Sequence, residues 1–305
     1  MNRFEYLQKF IGNTPILELR VQCKNINKTI YAKCEWYNFS GSVKDRAALC
    51  MLENSGIKQG DEIVEVTSGN MGISLASLGA FLGLRVSIFM PKNMSEERQK
   101  IIKLYGAKLI LCENFSQCFE YAQNYVQKTG AYYTKQFENK YNKIAQSKIG
   151  EEILQQCKVE AFVSGVGTSG TLSGAGELLK KNGIKLIAID PASSSLLTLG
   201  KSIGEHKIQG LSDGIIPKLY NKNIVDEIIP ITDDDAIAMA QKLNSLGIGC
   251  GISGGANFLG CVLSNYKNVA TVFADDNKKY ISTDLVHEIH TQLVDSIKIT
   301  LPEYN

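Results

Sequence analysis

Ala161-Phe162-Val163-Ser164-Gly165-Val166-Gly167-Thr168-Ser169-Gly170-Thr171 joins a short apolar run to the polar start of a helical pattern. The apolar run 161–164 predicts a buried strand, and the glycines after it predict a tight turn into a helix. Glycines at such a turn let the backbone approach an anion, and the nearby hydroxyls add hydrogen-bond donors. The stretch therefore predicts a strand–turn–helix unit that binds a phosphate group.

The same alternation of short strands and longer helices extends along most of the chain. Strands are predicted at 29–34, 62–66, 85–90, 108–112, 161–164, 185–190, 224–229 and 269–273. Helices are predicted to start near Lys44, Met71, Ser95, Phe115, Lys140, Thr171, Asp233 and Gly254. This rhythm is typical of parallel sheets covered by helices, so we predict an α/β fold. The residues between Pro191 and Pro217 predict a long, ordered and functional loop.

Composition argues against several classes of protein. The 305 residues suffice for one large domain or two moderate ones. A net charge of +2 without any basic run argues against a nucleic-acid partner, and charges interrupt the longest apolar runs, which argues against a membrane span. The N-terminal residues lack a signal-peptide core, and the eight cysteines form no CxxC pair. We therefore predict a cytoplasmic protein with reduced, buried cysteines and no metal site.

Lys44 lies in a second informative stretch, Asn38-Phe39-Ser40-Gly41-Ser42-Val43-Lys44-Asp45-Arg46-Ala47. It falls between a turn of small residues and the first turn of a predicted helix. An amine held in a cleft at such a place loses its hydration and becomes a nucleophile toward carbonyl groups. The stretch predicts a reactive lysine.

Two further polar turns precede predicted helices. In Val66-Thr67-Ser68-Gly69-Asn70-Met71-Gly72-Ile73 the hydroxyls and the amide suit a carboxylate at a helix N-terminus, although Ser68 or Asn70 could instead cap the helix. In Gly251-Ile252-Ser253-Gly254-Gly255-Ala256, Ser253 would hydrogen-bond a pyridine nitrogen without fixing a proton on it, and a helix N-cap is again the alternative. With Lys44 and the glycine turn, these features predict a site for pyridoxal phosphate (PLP).

An alternative comes from another class of enzyme. Gly165-x-Gly167-x-x-Gly170 also satisfies the dinucleotide-binding fingerprint, and Asp190 ends the next predicted strand about twenty residues later. A NAD-dependent dehydrogenase is the function that this pattern alone predicts. Such an enzyme gives no role to Lys44 or to the turn at 67–70, so we favour PLP.

The four turns, in this order, resemble those of the cysteine synthase family. This family comprises O-acetylserine sulfhydrylases, cystathionine β-synthases and other fold-type-II PLP enzymes. The resemblance covers nearly the whole chain and extends to 11–16, 90–91, 94–98, 136–139, 206–210 and 279–283. It implies two doubly wound lobes with PLP between them, and a homodimer. The smaller, mobile lobe is expected at 36–145, and the larger lobe at 1–35 and 146–305.

The resemblance also implies a role for individual residues. Lys44 would hold PLP as a Schiff base and then act as acid and base at Cα, with Asn70 at the phenolic oxygen and Ser253 at the pyridine nitrogen. The phosphate cradle would be Gly167, Thr168, Ser169, Gly170 and Thr171. The amino-acid substrate would contact Thr67, Ser68, Gly69, Met71, Gln136, Gly210 and Ser212. The implied reaction expels a β-substituent to leave an α-aminoacrylate, which a nucleophile attacks.

Three departures from the family pattern bear on the reaction. Met71 replaces a usual threonine, Ser169 replaces a usual glycine, and Ser212-Asp213 replaces small residues. A carboxylate at Asp213 would repel hydrosulfide and could accept a proton from water or a thiol. We therefore predict breakdown of L-cysteine with release of hydrogen sulfide, followed by addition of a thiol or of water, which gives L-serine.

Other interpretations of the same residues stay open at this point. Asp213 could point outward and cap a turn, for which Asp-Gly is well suited. The enzyme could make L-cysteine from O-acetyl-L-serine and sulfide, or the chain could be a catalytically silent relative that binds a partner.

Overall fold

The chain forms two α/β lobes that face each other across a cleft, in a computed structural model that describes residues 2–202, 204–212 and 214–302. The strands are β1 (Ile16–Cys23), β2 (Ile26–Cys34), β3 (Glu62–Val66), β4 (Arg85–Pro91), β5 (Lys108–Cys112), β6 (Tyr132–Tyr133), β7 (Ala161–Gly165), β8 (Lys185–Pro191), β9 (Glu227–Ile231), β10 (Asn268–Phe273) and β11 (Lys298–Thr300). The helices are α1 (Arg3–Leu7), α2 (Lys44–Glu53), α3 (Asn70–Leu82), α4 (Glu96–Leu104), α5 (Phe115–Thr129), α6 (Lys140–Gln156), α7 (Gly170–Lys181), α8 (Leu196–Leu199), α9 (Asp233–Ser245), α10 (Ile252–Leu263) and α11 (Gln292–Asp295). The predicted α/β fold is confirmed. No helix within the described ranges is long and apolar enough to cross a membrane.

The larger lobe is built on a sheet with the strand order β11-β1-β2-β10-β7-β8-β9. Strands β2, β10, β7, β8 and β9 run parallel, and β1 pairs antiparallel with both β2 and β11. The central strands are continuously buried, as expected of parallel strands covered by helices on both faces.

The smaller lobe is built on an all-parallel sheet with the order β5-β4-β3-β6, and this sheet lies within the segment 36–145. Its core contains apolar side chains of α2 and α3. Leu7 of α1 is fully buried in the same core, so the N-terminal helix packs on the smaller lobe although it precedes that segment.

Strand β1 and its hairpin turn escaped prediction from the sequence. Glu18, Arg20 and Gln22 alternate with apolar residues along β1, which is the period-two pattern of a half-buried strand, so the sequence carried a signal that the prediction did not use. The turn uses Lys24 and Asn25, both with positive φ (46° and 65°), in place of the glycine that usually marks a two-residue hairpin turn.

Strand β9 begins three residues later than predicted. Lys222–Ile224 forms a turn of 3-10 helix, because the Asn221 side chain accepts a hydrogen bond from the backbone N–H of Asn223. The predicted strand residues 224–226 therefore lie outside the sheet, and β9 begins only at Glu227.

A buried cluster of charges lies beneath the start of α2 and ties α6 to it. Arg46 Nε lies 2.7 Å from Glu35 Oε2 and Arg46 Nη1 2.6 Å from Glu152 Oε1, while Lys33 Nζ lies 2.6 Å from Glu152 Oε2. Burial alone would raise the pKa of Glu152, but hydrogen bonds and charge from Arg46 and Lys33 outweigh it and lower this pKa to about 2. The cluster holds in place the helix whose first residue is Lys44.

The cysteines are free thiols within the described residues, and five of the eight are buried. Burial raises the pKa of the Cys34 thiol to about 12, and it raises the pKa of Cys250 and Cys261 further. These side chains therefore pack as small apolar groups, as the sequence predicts.

Candidate active site

The cleft lies where the carboxyl ends of parallel strands from both lobes meet. Thirteen of the predicted site residues line it: Lys44, Thr67, Ser68, Asn70, Met71, Gln136, Gly167, Thr168, Ser169, Gly170, Thr171, Gly210 and Ser253. Open α/β sheets bind their ligands at this edge, because loops and helix N-termini converge there. The fold thus brings Lys44, the glycine turn and Ser253 together from distant parts of the chain.

The helices that open onto the cleft begin without a side-chain cap. The N-cap residues of α2, α3, α7 and α10 are Val43, Gly69, Ser169 and Gly251, and none of them makes a side-chain cap hydrogen bond. By contrast, side-chain caps begin α5, α6 and α9. The capping alternatives for Ser68, Asn70 and Ser253 are therefore wrong, and the positive ends of these helices remain available to anionic groups.

Two glycines of the glycine turn stand where no side chain fits. A Cβ atom on Gly167 would overlap the carbonyl oxygen of Gly210, and one on Gly170 would overlap the Asn142 side chain. Ser169 adopts the left-handed conformation (φ 63°) that glycine favours, and its Oγ lies 2.9 Å from Ser173 Oγ. The turn is shaped as a close-fitting cradle at the start of α7.

Lys44 is half-buried at the first residue of α2. The turn before it is held by the larger lobe, since the N–H of Val43 donates to the carbonyl of Ala274 at 2.8 Å. Ser42 is fully buried, and its Oγ accepts from the N–H of Lys44 at 3.3 Å. These contacts direct the lysine into the cleft from a fixed backbone.

The turn at 67–70 depends on Gly69 and on Arg98, which lies against it. Gly69 has a φ of 149°, and a Cβ there would overlap the Arg98 side chain. The N–H of Gly69 donates to Thr67 Oγ1 at 3.0 Å. Gly69 thus shapes the turn, while Thr67 and Ser68 line the cleft.

Gln136 is held in the cleft by a buried carboxylate behind the turn. Glu65 Oε2 accepts from the N–H of Gln136 at 2.9 Å and from Thr134 Oγ1 at 2.5 Å, and Gln136 Nε2 donates to the carbonyl of Val66 at 2.8 Å. Burial raises the pKa of Glu65 to about 7 against the lowering effect of these hydrogen bonds.

The raised pKa of Glu65 predicts a specific loss of stability at neutral pH. A folded-state pKa above the unfolded value means that the folded protein binds the extra proton, so this contribution is full below about pH 4 and is lost as the pH rises through 7. Relative to Glu65→Gln, which does not titrate, the wild type should lose roughly 3 kcal/mol between pH 4.5 and pH 8. Urea unfolding of both proteins at several pH values measures this difference, and parallel pH curves would contradict the prediction.

Ser253 is the second residue of α10 and is buried at the floor of the cleft. Asn257, one helical turn later, accepts from the N–H of Gly165 at 2.7 Å and donates to the carbonyl of Val272 at 2.8 Å. Asn257 therefore fixes the end of β7, from which the glycine turn starts, relative to Ser253.

The loop after β8 forms one wall of an adjoining cavity of about 560 Å³, which shares Ser68 and Gly210 with the cleft. Ser212 and Gly214 line this cavity, and Asp213 between them lies outside the described residues. The N–H of Ser212 donates to the carbonyl of Val166 at 2.8 Å, and Ser212 Oγ lies 3.5 Å from Asp190 Oδ1.

Asp190 is not available as the ribose-binding acid of a dehydrogenase. It is fully buried, and its Oδ2 accepts from the N–H groups of Leu197 (3.1 Å) and Thr198 (2.9 Å). Its carboxylate is used to anchor the loop that carries the short helix α8. The dinucleotide fingerprint is therefore present in the sequence without its acidic partner.

The lining residues that were not predicted to contact cofactor or substrate include Arg98, Gln209 and Asn257. Arg98 is almost fully buried, and its guanidinium group donates hydrogen bonds to Gln209 Oε1 and to Asp275 Oδ2. Both Arg98 and Gln209 fall in stretches that match the cysteine synthase pattern, which is the one signal that could have found them.

The site fits PLP on its own geometry. The cradle excludes a Cβ, Ser253 offers a hydroxyl at the floor, and Asn70 Oδ1 is buried without a partner in the protein. Within the described ranges, no group of three or more potential metal ligands lies together. The donors present are those that a phosphate, a pyridine ring and a carbonyl group require.

Similarity to known proteins agrees with this geometry. The model of the family "Pyridoxal-phosphate dependent enzyme" matches residues 7–275. Cysteine synthase B of Campylobacter jejuni is 40% identical over 302 residues, covering 93% of this chain and 99% of that protein. A hydrogen sulfide-producing enzyme from Fusobacterium nucleatum superposes with a TM-score of 0.91 at 39% identity, covering 98% of this chain and 99% of that one.

A substituted, lysine-dimethylated form of a hydrogen sulfide-producing enzyme, in complex with an α-aminoacrylate intermediate, gives a TM-score of 0.94 at 39% identity over 98% of both chains. The expectation of a PLP cofactor is confirmed, and the dehydrogenase alternative is wrong. The chain therefore belongs to the pyridoxal-phosphate dependent enzyme family, as an enzyme of the cysteine synthase type.

Proposed function

We propose that this enzyme breaks down L-cysteine to hydrogen sulfide and L-serine. The observation that carries the proposal is the position of Ser212 and Gly214, which flank Asp213 and line the cavity next to Ser68. Similarity to hydrogen sulfide-producing enzymes at 39% identity supports it. In the balanced reaction, the Cβ–S bond of L-cysteine breaks, hydrosulfide leaves and takes up a proton, and water supplies the hydroxyl of L-serine.

Different residues of the chain act at Cα and at Cβ of the substrate. Lys44 removes the proton at Cα and returns it at the end of the reaction. The N–H groups at the start of α3, with Thr67, Ser68 and Gln136, bind the substrate carboxylate. When bound, PLP supplies an electron-withdrawing ring that stabilises negative charge at Cα. Ser253 hydrogen-bonds the ring nitrogen without forcing it to stay protonated, which suits elimination at Cβ.

Asp213 acts at Cβ in this proposal. Its carboxylate accepts a proton from water as the oxygen attacks, which is general-base catalysis. A negative charge beside Cβ also disfavours the return of anionic hydrosulfide. Both effects direct the reaction toward sulfide release.

The test follows both products from L-cysteine. We expect stoichiometric sulfide and L-serine from the wild type, and a fall in L-serine formation of roughly 10²- to 10⁴-fold in Asp213→Asn. Release of the first equivalent of sulfide in a single turnover should persist in this variant, because Lys44 performs that step. Asp234→Asn, at the N-terminus of α9, is the matched control. Unchanged L-serine turnover in Asp213→Asn and Asp213→Ala would end the proposal.

Cysteine synthesis is the second candidate, and the names of the similar cysteine synthases favour it. In that case O-acetyl-L-serine loses acetate and hydrosulfide adds at the same carbon. Parallel assays separate the two functions. One set offers O-acetyl-L-serine with sulfide, and the other offers L-cysteine with water, homocysteine or another thiol. Efficient synthesis without breakdown of L-cysteine would select the second candidate.

The cradle gives a prediction that does not depend on the reaction. A side chain at Gly167 meets the Gly210 backbone, which cannot move aside as a flexible side chain would. Overpacking of this kind costs about 1–3 kcal/mol, so Gly167→Ala should weaken PLP binding by roughly ten- to hundredfold. Titration of apoprotein with PLP, followed by absorbance, measures the effect. Gly183→Ala is the control, because its φ of 80° strains an alanine at a surface turn where a Cβ meets nothing, and equal affinities in the two variants would contradict the role of the cradle.

A further inference from the structure

Asp275 stands at the point where the turns of the cleft meet. It lies two residues after the end of β10, and its side chain is fully buried. Its backbone forms an antiparallel bridge with Ser42, and its carbonyl accepts from the N–H of Gly251 at 3.1 Å. The residue therefore joins the turn before Lys44 to the turn before Ser253.

The carboxylate of Asp275 reaches a third turn through Asn70. Asn70 Nδ2 donates to Asp275 Oδ2 at 2.8 Å, although the two residues are 205 positions apart. Because an ionised carboxylate can only accept hydrogen bonds, it selects the orientation in which the amide nitrogen faces it. One N–H of the amide is thereby fixed, and the second N–H and the unpartnered Oδ1 are left for other groups.

The charge of Asp275 is balanced from the opposite lobe. Arg98 Nη2 lies 3.4 Å from Asp275 Oδ2, and the guanidinium carbon lies 4.4 Å from the centroid of the Tyr280 ring. The Tyr280 hydroxyl donates to the same carboxylate at 3.0 Å. Arg98 also bonds Gln209, on the loop that leads to Ser212. A chain of contacts thus runs from Asn70 through Asp275 and Arg98 to the substrate loop.

We propose that Asp275 is a positioning residue that fixes the Asn70 amide toward PLP and, through Arg98 and Gln209, links the cofactor site to the substrate loop. The inference rests on the proposed function and on the role at the phenolic oxygen of PLP that the resemblance implies for Asn70. Asp275 itself need not touch the cofactor. Its effect on the cofactor is transmitted by the amide that it orients.

A mutant cycle on PLP binding tests this inference. Asp275→Asn keeps the volume of the side chain but replaces one of its acceptor oxygens with an NH₂ group. Because the groups around it are themselves donors, the Asn70 amide is no longer held in one orientation. We expect the dissociation constant of PLP from apoprotein to rise about tenfold in Asp275→Asn and similarly in Asn70→Ala. In the double variant the constant should equal that of Asn70→Ala within about twofold, because both changes remove one interaction. The absorption spectrum of bound PLP should shift alike in all three.

The possible outcomes separate this inference from the proposed function. An equal effect of Asp275→Asn with and without Asn70 would overturn the inference and leave the site assignment standing. Normal PLP affinity in Asn70→Ala would overturn both. Asp276→Asn, in which the half-buried Asp276 loses its ion pair with the exposed Lys278, is the control. If Asp275→Asn apoprotein does not fold, Tyr280→Phe takes its place in the cycle, because it removes one hydrogen-bond donor from Asp275. We then expect the dissociation constant of PLP to rise about threefold. An effect of Tyr280→Phe that is the same with and without Asn70 would overturn the inference.

Discussion

Replacing Lys44 by alanine should abolish turnover of L-cysteine while leaving the fold intact. The residue is half-buried at the start of α2, and its stem is not part of either apolar core. In the proposed mechanism Lys44 moves the Cα proton, so its loss should reduce the rate by roughly 10⁴-fold. The covalent link to PLP should also disappear, so borohydride reduction followed by peptide mapping should label the Lys44 peptide only in the wild type.

Lys58→Ala is the matched control, since Lys58 is an exposed lysine before β3. The control should retain the label, the rate and the circular dichroism of the wild type. A label retained in Lys44→Ala would show that PLP is attached to another lysine. In that event, the site would have to be reassigned.

Glu152→Ala should produce the largest loss of stability of any single substitution discussed for this chain. It removes the carboxylate partner of the buried Lys33 and one of the two carboxylate partners of the buried Arg46, each of which lies 2.6 Å from a Glu152 oxygen. Breaking a buried ion pair by removing one partner costs about 3–5 kcal/mol. Urea unfolding of the apoprotein measures the loss directly.

The neighbouring Glu151 provides the control for this prediction. Glu151 pairs at 2.8 Å with Lys148 on the exposed face of α6, so Glu151→Ala should change the free energy of unfolding by less than about 0.5 kcal/mol. Equal losses in the two variants would show that the buried cluster contributes no more than a surface pair.

The predicted bounds 62–66 and 108–112 agree with those of β3 and β5. Four of the five residues of β3 are buried but only Cys112 of β5 is, so burial is not what made these strands predictable; each is a short run rich in apolar residues that ends at turn residues. Strand β6 is only two residues long and leaves no pattern. Strand β1 alternates polar and apolar residues, which is a strand pattern that the prediction did not use.

The site was predictable where its residues are contiguous in the chain. Lys44, the glycine turn and Ser253 each lie in a short motif, and the cleft lining contains all three motifs. The ion pair of Arg98 with Asp275 joins residues 177 positions apart, and neither charge has a local signal for a partner. Such pairs arise only when the two lobes come together, so their detection needs the three-dimensional structure.

The packing of the cysteines has a chemical consequence for the proposed release of sulfide. Polysulfides, which form when an oxidant acts on sulfide, modify proteins through thiolates. Burial raises the pKa of Cys34, Cys250 and Cys261 and so keeps these thiols protonated at neutral pH. The interior that closes around these three side chains therefore also protects them from polysulfides.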